Sequence, residues 1–274
     1  MKTILAPVDF SAAAENSACF AGALAEFYGA ELYLYHSYNA MVPLSEYAYQ
    51  FVSEDAMQKA AEDELENFKT KIQSKLRRNI NIHLKAENGK LEEGMAAYCA
   101  DINPELVVMG FSGKNALTRL IAGSNTIKAI QNLHYPILVV PPQAEFIPLR
   151  KIGFACDYKQ VIATTPVEPL KALIRDFNAE LHVLNIEYSN QNYSKEVIEE
   201  SIAISELLKD LHPEYHAITA PDVTTGINWF AEKEKLDWVV VIPKKHKLVE
   251  KLFNRSNTKD LLQNTKMPVL CMHD

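Results

Sequence analysis

The chain has 274 residues, of which 48% are apolar, and a formal net charge of −7. This length and composition suit one large domain or two domains of ordinary size. The acidic balance argues against a nucleic-acid-binding protein, which needs a basic excess or stripe, and no apolar run suits a signal peptide or a bilayer span. Because the four cysteines also lie far apart in apolar segments, we expect a cytoplasmic protein with reduced thiols that contacts neither nucleic acid nor membrane.

The first segment has the pattern of a buried strand followed by a helix. Residues 2–8 are mostly apolar and predict a strand, and residues 12–28 carry alanine, leucine and aromatic residues at helical spacing. Asp9 follows the strand at the edge where open α/β sheets bind ligands, and Ser11 can cap the helix. The pattern alone leaves open whether Asp9 contacts a ligand or only shapes the turn.

Strands and helices continue to alternate after Gly29, which is placed to end the first helix. Residues 30–37 predict a second strand that ends with His36 and Ser37, and no nucleophile is partnered with His36 by sequence. The elements predicted next are a helix at 53–78, a strand at 81–86, a helix at 91–100, a strand at 106–109, a helix from Ser124 and a strand at 135–140. This βαβα order predicts a doubly wound parallel sheet.

The segment after the fourth predicted strand carries three glycines. The strand breaks at Gly110, and Gly113 and Gly123 follow at the spacing G-x2-G-x9-G-S. Glycines permit left-handed loop conformations and a close approach of amides to an anion, while Ser124 and Asn125 can open a helix with free N–H groups. The spacing matches neither the P-loop motif nor the dinucleotide-binding motif. The glycines therefore indicate either a phosphate-binding loop of another kind or ordinary turns.

Two strings resemble the universal stress protein family, whose fold is of the adenine nucleotide alpha-hydrolase-like type. GFSGKNALTRLIAGSNT (110–126) resembles the family's nucleotide-binding signature, and PVDFS (7–11) resembles its P-x-D-x-S motif. The resemblance implies that ATP binds with its ribose near the aspartate, its adenine against the end of the second strand and its phosphates on the glycine segment. The positions implied are Pro7, Asp9, Ser11, His36, Ser37, Met109, Gly110, Gly113, Gly123, Ser124 and Asn125.

A metal ion is expected only together with the nucleotide. Asp9 can hold a Mg²⁺ ion bridged to the phosphates, because oxygen ligands suit this ion. The four cysteines do not recur at a ligand spacing such as C-x2-C, and we predict no metal site apart from the nucleotide.

The second half of the sequence repeats the first. Residues 151–158 (KIGFACDY) match residues 3–10 (TILAPVDF), and residues 178–185 (NAELHVLN) match residues 29–36 (GAELYLYH). We therefore predict two tandem doubly wound domains of the flavodoxin-like, or Rossmann-like, type, each a five-stranded parallel sheet. The resemblance to universal stress proteins implies the strand order 3-2-1-4-5 in each. Their predicted bounds are 1–142, the first copy, and 150–274, the second copy.

The second copy lacks the glycines of the first. The positions that match Gly110, Gly113 and Gly123 hold Ile242, Lys245 and Arg255. Asp157 nevertheless persists at the position of Asp9. The sequence therefore predicts that ATP binds in the first copy, and whether the second copy binds any ligand stays open.

The predicted function is adenine-nucleotide-dependent sensing or regulation in a stress response, read by an unknown protein partner. A slow ATP hydrolase and a nucleotide-free structural or interaction protein are the alternatives. The resemblance implies pairing through the last strands, as is common in dimers of the family. Here these are the apolar segments 135–140 and 267–272, so we expect the two copies to form an intramolecular pseudo-dimer. A homodimer of whole chains is also compatible with the sequence.

Overall fold

The computed structural model describes residues 1–39, 53–111, 124–187, 195–243 and 255–273. The first copy contains β1 (Thr3–Pro7), α1 (Ala12–Tyr28), β2 (Glu31–Tyr38), α2 (Glu54–Gln73), β3 (Ile82–Asn88), α3 (Leu91–Ile102), β4 (Leu106–Gly110), α4 (Ser124–Asn132) and β5 (Ile137–Val140). The second copy contains β6 (Lys151–Ala155), α5 (Val161–Thr164), α6 (Val167–Phe177), β7 (Glu180–Glu187), α7 (Lys195–Leu208), β8 (Glu214–Thr219), α8 (Val223–Glu234), β9 (Trp238–Val241), α9 (Arg255–Asn264) and β10 (Val269–Cys271).

The strands form one ten-stranded sheet in the order β3-β2-β1-β4-β5-β10-β9-β6-β7-β8. Each copy contributes five strands in the order 3-2-1-4-5, and the strands within each copy are parallel. Successive residues of β1 enter different core clusters, since Ile4 and Ala6 belong to one and Leu5 to the other. Both faces of the sheet are therefore covered, which confirms the predicted doubly wound α/β fold.

The strand registers agree with the repeat that the sequence indicates. Thr3 pairs with Glu31 across β1 and β2, and Lys151 pairs with Glu180 across β6 and β7. These four residues occupy matching positions when the sequences of the two copies are aligned. The repeat therefore extends from sequence to backbone pairing.

The two copies meet where β5 pairs with β10. This pairing is antiparallel, and Leu138 lies opposite Leu270. Because these two residues occupy matching positions in the copies, the contact is isologous and has the form of a pseudo-twofold axis. The structure thus confirms the predicted pairing of the last strands.

The segment between the copies packs against both of them. The ring of Phe146 lies 5.6 Å from that of Phe20 and 5.8 Å from that of Phe27 in α1, and 6.3 Å from that of Phe177 in α6. Phe27 also stacks on Phe177, with 4.8 Å between ring centroids and 8° between planes. An aromatic cluster therefore adds to the strand pairing in holding the copies together.

The helix ends follow the capping signals in the sequence. Ser11 caps α1, which ends at Gly29 with φ 64°, as predicted. α2 ends at Gln73 rather than near residue 78, and the hydroxyl of Ser74 hydrogen-bonds to the backbone of its last turn. No helix among the described residues is both long enough and apolar enough to cross a membrane.

We expect the backbone amides of β5 and β10 to exchange with solvent as slowly as those of the central strand β1. The reason is that β5 and β10 lie in the middle of the sheet, and their residues are buried, so exchange requires extensive opening. Native-state hydrogen exchange measured by mass spectrometry or NMR would test this. Exchange in 137–140 and 269–271 as fast as in an exposed loop would show that the copies separate in solution.

Candidate functional site

The candidate site lies where the sheet order reverses direction, between β1 and β4. These neighbouring strands are parallel, and Leu5 pairs with Val107. Two residues further along each strand lie Pro7 and Met109, which are both buried. Open α/β sheets bind ligands outside the carboxyl ends of their strands at such a switch point, so the fold brings these two predicted site residues together.

Asp9 lies at the carboxyl end of β1 and is exposed. Its Oδ1 accepts a hydrogen bond of 3.0 Å from the amide of Ser11, and the intervening Phe10 has φ 60°. The hydroxyl of Ser11 in turn accepts from the amide of Ala14 at 3.2 Å. The turn therefore fixes the position of Asp9 while leaving its carboxylate in contact with solvent.

His36 and Ser37 lie near the end of β2, beside this turn. His36 Nδ1 lies 2.8 Å from the carbonyl oxygen of Val8, and the hydroxyl of Ser37 donates to the carbonyl of Gly89 at 2.6 Å. Pairing of β1 with β2 ends at Tyr35, whereas β2 continues beside β3 to Tyr38. The side chains are thus engaged within the protein, and the backbone edge at the end of β2 extends past its pairing with β1.

Gly110 ends β4 directly beneath the first turns of α1. A Cβ atom at this position would lie 2.4 Å from the carbonyl oxygen of Ala13 and 3.2 Å from Ser17 Oγ. The carbonyl of Gly110 accepts a hydrogen bond of 2.9 Å from the hydroxyl of Thr126. The sequence assigned Gly110 to the phosphate loop, and the structure adds a packing role, which is the close approach of α1 to β4.

Ser124 and Asn125 open α4 and are exposed. The bond from Thr126 to Gly110 ties this first turn to the end of β4. A helix start offers N–H groups and a positive dipole end to an anion. Gly113 and Gly123 lie outside the described residues, so the structure places one of the three predicted glycines and the helix that follows them.

The second copy has the same turn after its first strand, but the aspartate of that turn is more buried than in the first copy. The amide of Lys159 donates to Asp157 Oδ1 at 3.1 Å, and Tyr158 has φ 52°. Asn185, at the position of His36, donates to the carbonyl of Cys156 at 2.9 Å. Asp157, however, is only 6% exposed, whereas Asp9 is exposed.

Ile242 explains part of this difference, because it takes the position of Gly110. It is 6% exposed and lines, together with Asp157 and Val161, a cavity of about 10 Å³, which is room for roughly one water molecule. The helix over this position is also interrupted, since α5 ends at Thr164 and α6 begins only after Pro166. The carboxyl end of β6, around Asp157 and Ile242, is therefore closely packed.

A larger cavity of about 600 Å³ lies elsewhere in the second copy, between α7 and the strands β7 and β8. Its lining includes Tyr158 and Asn185, which match Phe10 and His36. In the first copy Phe10 packs on His36 and on Phe68 of α2, with ring centroids 4.5 and 5.5 Å away. No signal in the sequence indicated this cavity, because it depends on how far α7 stands from the sheet.

The fold and this edge define a doubly wound α/β protein whose candidate ligand site lies at the strand ends of the first copy. A family model described as the universal stress protein family matches residues 1–141. The chain belongs to that family.

Solved structures similar to the chain support the same fold over the whole length. A universal stress protein from Archaeoglobus fulgidus DSM 4304 has a TM-score of 0.70 at 15% sequence identity, covering 98% of this chain and 97% of the other. A functionally unknown protein from Pseudomonas aeruginosa PAO1 has a TM-score of 0.59 at 14% identity, covering 99% and 92%. Comparison with curated protein sequences gives no match.

Proposed function

We propose that the protein is an adenine-nucleotide-binding regulatory module in which the first copy binds ATP. The observation that supports this most directly is the position of Asp9 and Gly110 at the ends of adjacent strands, at the switch point of the sheet. The exposed carboxylate of Asp9 can accept hydrogen bonds from ribose hydroxyls. The start of α4, held next to Gly110 by Thr126, offers N–H groups to phosphate.

The remaining parts of the nucleotide have corresponding places along this edge. The backbone at His36 and Ser37, past the pairing with β1, suits the hydrogen-bonding edge of adenine. Gly113, Gly123 and the amide of Asn125 are proposed to bind the phosphates on the basis of the sequence signature. When Mg²⁺ accompanies the nucleotide, Asp9 is the proposed protein ligand, since it supplies a carboxylate oxygen at the same edge.

Binding rather than turnover is the function that the geometry favours. General-base catalysis needs a group within reach of the attacking water and available to take its proton. Among the described residues of this edge, we assign Asp9 to the ribose and to Mg²⁺ and the backbone at His36 to adenine, so no described titratable side chain is assigned to a hydrolytic water. A slow ATP hydrolase is the second candidate, and a nucleotide-free interaction protein is the third.

A direct experiment separates these three candidates. Protein purified without added nucleotide would be denatured and the released small molecules identified by mass spectrometry, and a steady-state phosphate assay with ATP would follow. We expect released or rebound adenine nucleotide and little phosphate production. Failure to bind ATP would favour the nucleotide-free alternative, whereas sustained turnover would favour the hydrolase.

The proposed domain bounds, 1–142 and 150–274, place the boundary in the segment that carries Phe146. The family match to residues 1–141 supports the end of the first domain. Because the segment packs on both copies, we propose that nucleotide binding in the first domain is transmitted to a protein partner by the two domains together. We also propose that the protein acts in the cytoplasm and that two chains form a homodimer.

Replacing Asp9 by alanine should weaken ATP binding about tenfold or more. A hydrogen bond to a charged group contributes about 1.5–3 kcal/mol, and each ~1.4 kcal/mol corresponds to a factor of ten in affinity. Isothermal titration calorimetry would measure the change.

Asp157→Ala is the matched control for this variant. Both aspartates hold the same turn, through Ser11 in one copy and Lys159 in the other, so both variants lose an equivalent structural bond. We expect Asp157→Ala to bind ATP as the unmodified chain does. Equal affinities in the Asp9→Ala and unmodified proteins would refute the role assigned to Asp9.

A further inference from the structure

Three potential metal ligands meet on one face of the strands β7 and β8. His182 lies directly across from Glu214 in the strand register, so their side chains share a face. His216 follows Glu214 by two residues and therefore projects from the same face. The ligand atoms of these three side chains all lie within 4.8 Å of one another.

The distances among the three ligand atoms suit a single ion. His182 Nδ1 lies 3.0 Å from His216 Nε2, and Glu214 Oε2 lies 3.6 Å from the first nitrogen and 3.7 Å from the second. Zinc binds histidine nitrogen and carboxylate oxygen at about 2.0–2.2 Å, so two ligands of a tetrahedral site stand roughly 3.3 Å apart. The observed separations bracket this value, and a fourth position is left for water or another ligand.

The surroundings of the three ligands suit a bound cation as well. His182 is 1% exposed, and its Nε2 is buried without a hydrogen-bond partner among the described residues. The carboxylate of Glu180 has an oxygen 3.9 Å from this nitrogen. A histidine that binds metal through one nitrogen usually directs the other toward a carboxylate, and a small approach of Glu180 would complete that arrangement.

The ring of His216 packs between two other rings. The ring of Phe230 in α8 lies 4.5 Å from it, and the ring of His182 lies 5.2 Å from it. Packing against these two rings holds the His216 imidazole beside His182.

The corresponding place in the first copy has different side chains. Tyr33 and His83 form the matching cross-strand pair, and Lys85 takes the position of His216. His83 there lies 3.2 Å from Glu31 and stacks on Tyr33. The set of two histidines and a carboxylate is thus a property of the second copy, where the glycine segment is lost.

We propose that the second copy binds one zinc-type divalent cation through His182, Glu214 and His216. Two imidazoles and one carboxylate suit zinc and its neighbours in the first transition series better than Mg²⁺ or Ca²⁺, which prefer oxygen ligands. The site is separate from the nucleotide edge of the first copy. The protein would therefore bind a metal ion in its second copy independently of the nucleotide in its first. The spacing in sequence did not indicate it, because the ligands come from two strands and meet only through sheet pairing.

The test is binding of Zn²⁺, and of Co²⁺ as a coloured substitute, to the full chain after treatment with a chelator. Calorimetry should give one Zn²⁺ per chain, and Co²⁺ should give the visible absorption of a tetrahedral site, whereas Mg²⁺ should give no heat. Even outer partners of metal ligands contribute about 10–100-fold to affinity. We therefore expect His216→Ala and Glu214→Gln each to weaken Zn²⁺ binding about tenfold or more.

These two variants are chosen because the side chains of His216 and Glu214, with relative exposures of 24% and 67%, are more accessible than that of the buried His182. Both variants should therefore fold, which circular dichroism would verify. His83→Ala removes a histidine at the matching strand of the first copy and should leave Zn²⁺ affinity unchanged. The proposal is overturned if no stoichiometric Zn²⁺ binds, if both site variants bind as the unmodified chain does, or if His83→Ala loses affinity equally. The first result would leave the 3.0 Å contact as a hydrogen bond between histidines.

Discussion

Replacing Gly110 by alanine should lower the free energy of unfolding by about 2–3 kcal/mol, the upper part of the ~1–3 kcal/mol found when a packed core is overfilled. The added Cβ would lie 2.4 Å from the carbonyl oxygen of Ala13, and this contact involves backbone that a side-chain rotation cannot relieve. For a chain of this size the melting temperature should fall by roughly 4–12 °C. Scanning calorimetry and urea unfolding would measure both quantities.

Gly29→Ala is the control that separates packing from backbone conformation. Gly29 has φ 64°, and an added Cβ there would have no atom within 4 Å, so alanine meets only the cost of the left-handed region, about 1–2 kcal/mol. Gly110→Ala should therefore be the more destabilising of the two. A Gly110→Ala protein as stable as the unmodified chain would show that α1 can move away from β4 at little cost.

The second copy shows how the chain accommodates a side chain at this position. Ile242 replaces Gly110, and the overlying helix is divided into α5 and α6 at Pro166. Because Val161 and Thr164 of α5 line the same small cavity as Ile242, the interrupted helix packs around the larger side chain. Glycine at the end of β4 therefore accompanies a continuous first helix, and isoleucine at the end of β9 accompanies an interrupted one.

Local signals in the sequence predicted much of the fold. The start and end of α1 follow from Ser11 and Gly29, whose capping roles depend on neighbouring residues only. The repeated strings predicted two copies of one domain, and the family resemblance predicted the strand order and the pairing of segments 135–140 and 267–272, in which Leu138 lies opposite Leu270.

Contacts between distant segments were not predictable in the same way. The meeting of His182 with His216 depends on the register of β7 and β8, and the packing of Phe146 on Phe177 depends on how the segment between the copies lies against α6. The role of Gly110 in helix packing was also missed, since a glycine motif does not show which backbone atoms approach it. At the candidate site the sequence thus predicted which residues take part. The structure added the contacts that the described residues among them make.

The prediction with the largest expected effect on binding is that ATP occupies one site per chain, in the first copy. Calorimetry at about physiological salt should give a stoichiometry near one. Changing both Gly113 and Gly123 to valine should abolish binding, because a residue with a Cβ that is forced into the left-handed region costs ~1–2 kcal/mol before any clash with phosphate. Circular dichroism would verify that the variant folds.

The second copy should not contribute a second site. Ile242 is buried at the strand end, and the cavity that it lines with Asp157 has a volume of about 10 Å³, which is too small for a phosphate group. Lys245 and Arg255 add positive charge to this part of the sequence, but exposed ion pairs contribute only ~0–1 kcal/mol each and are screened by salt. Exclusion by volume should therefore outweigh attraction by charge.

The control variant, Lys245→Ala with Arg255→Ala, should bind ATP with unchanged stoichiometry and affinity. Binding that survives the change of Gly113 and Gly123, or a stoichiometry of two, would show that the second copy holds nucleotide. In that case the cavity of about 600 Å³ between α7 and β8 is the place to examine, because its volume falls within the roughly 300–1,000 Å³ typical of small-molecule sites. Asn185→Leu would then distinguish that cavity from the first copy, since this residue lines it and lies outside the first copy.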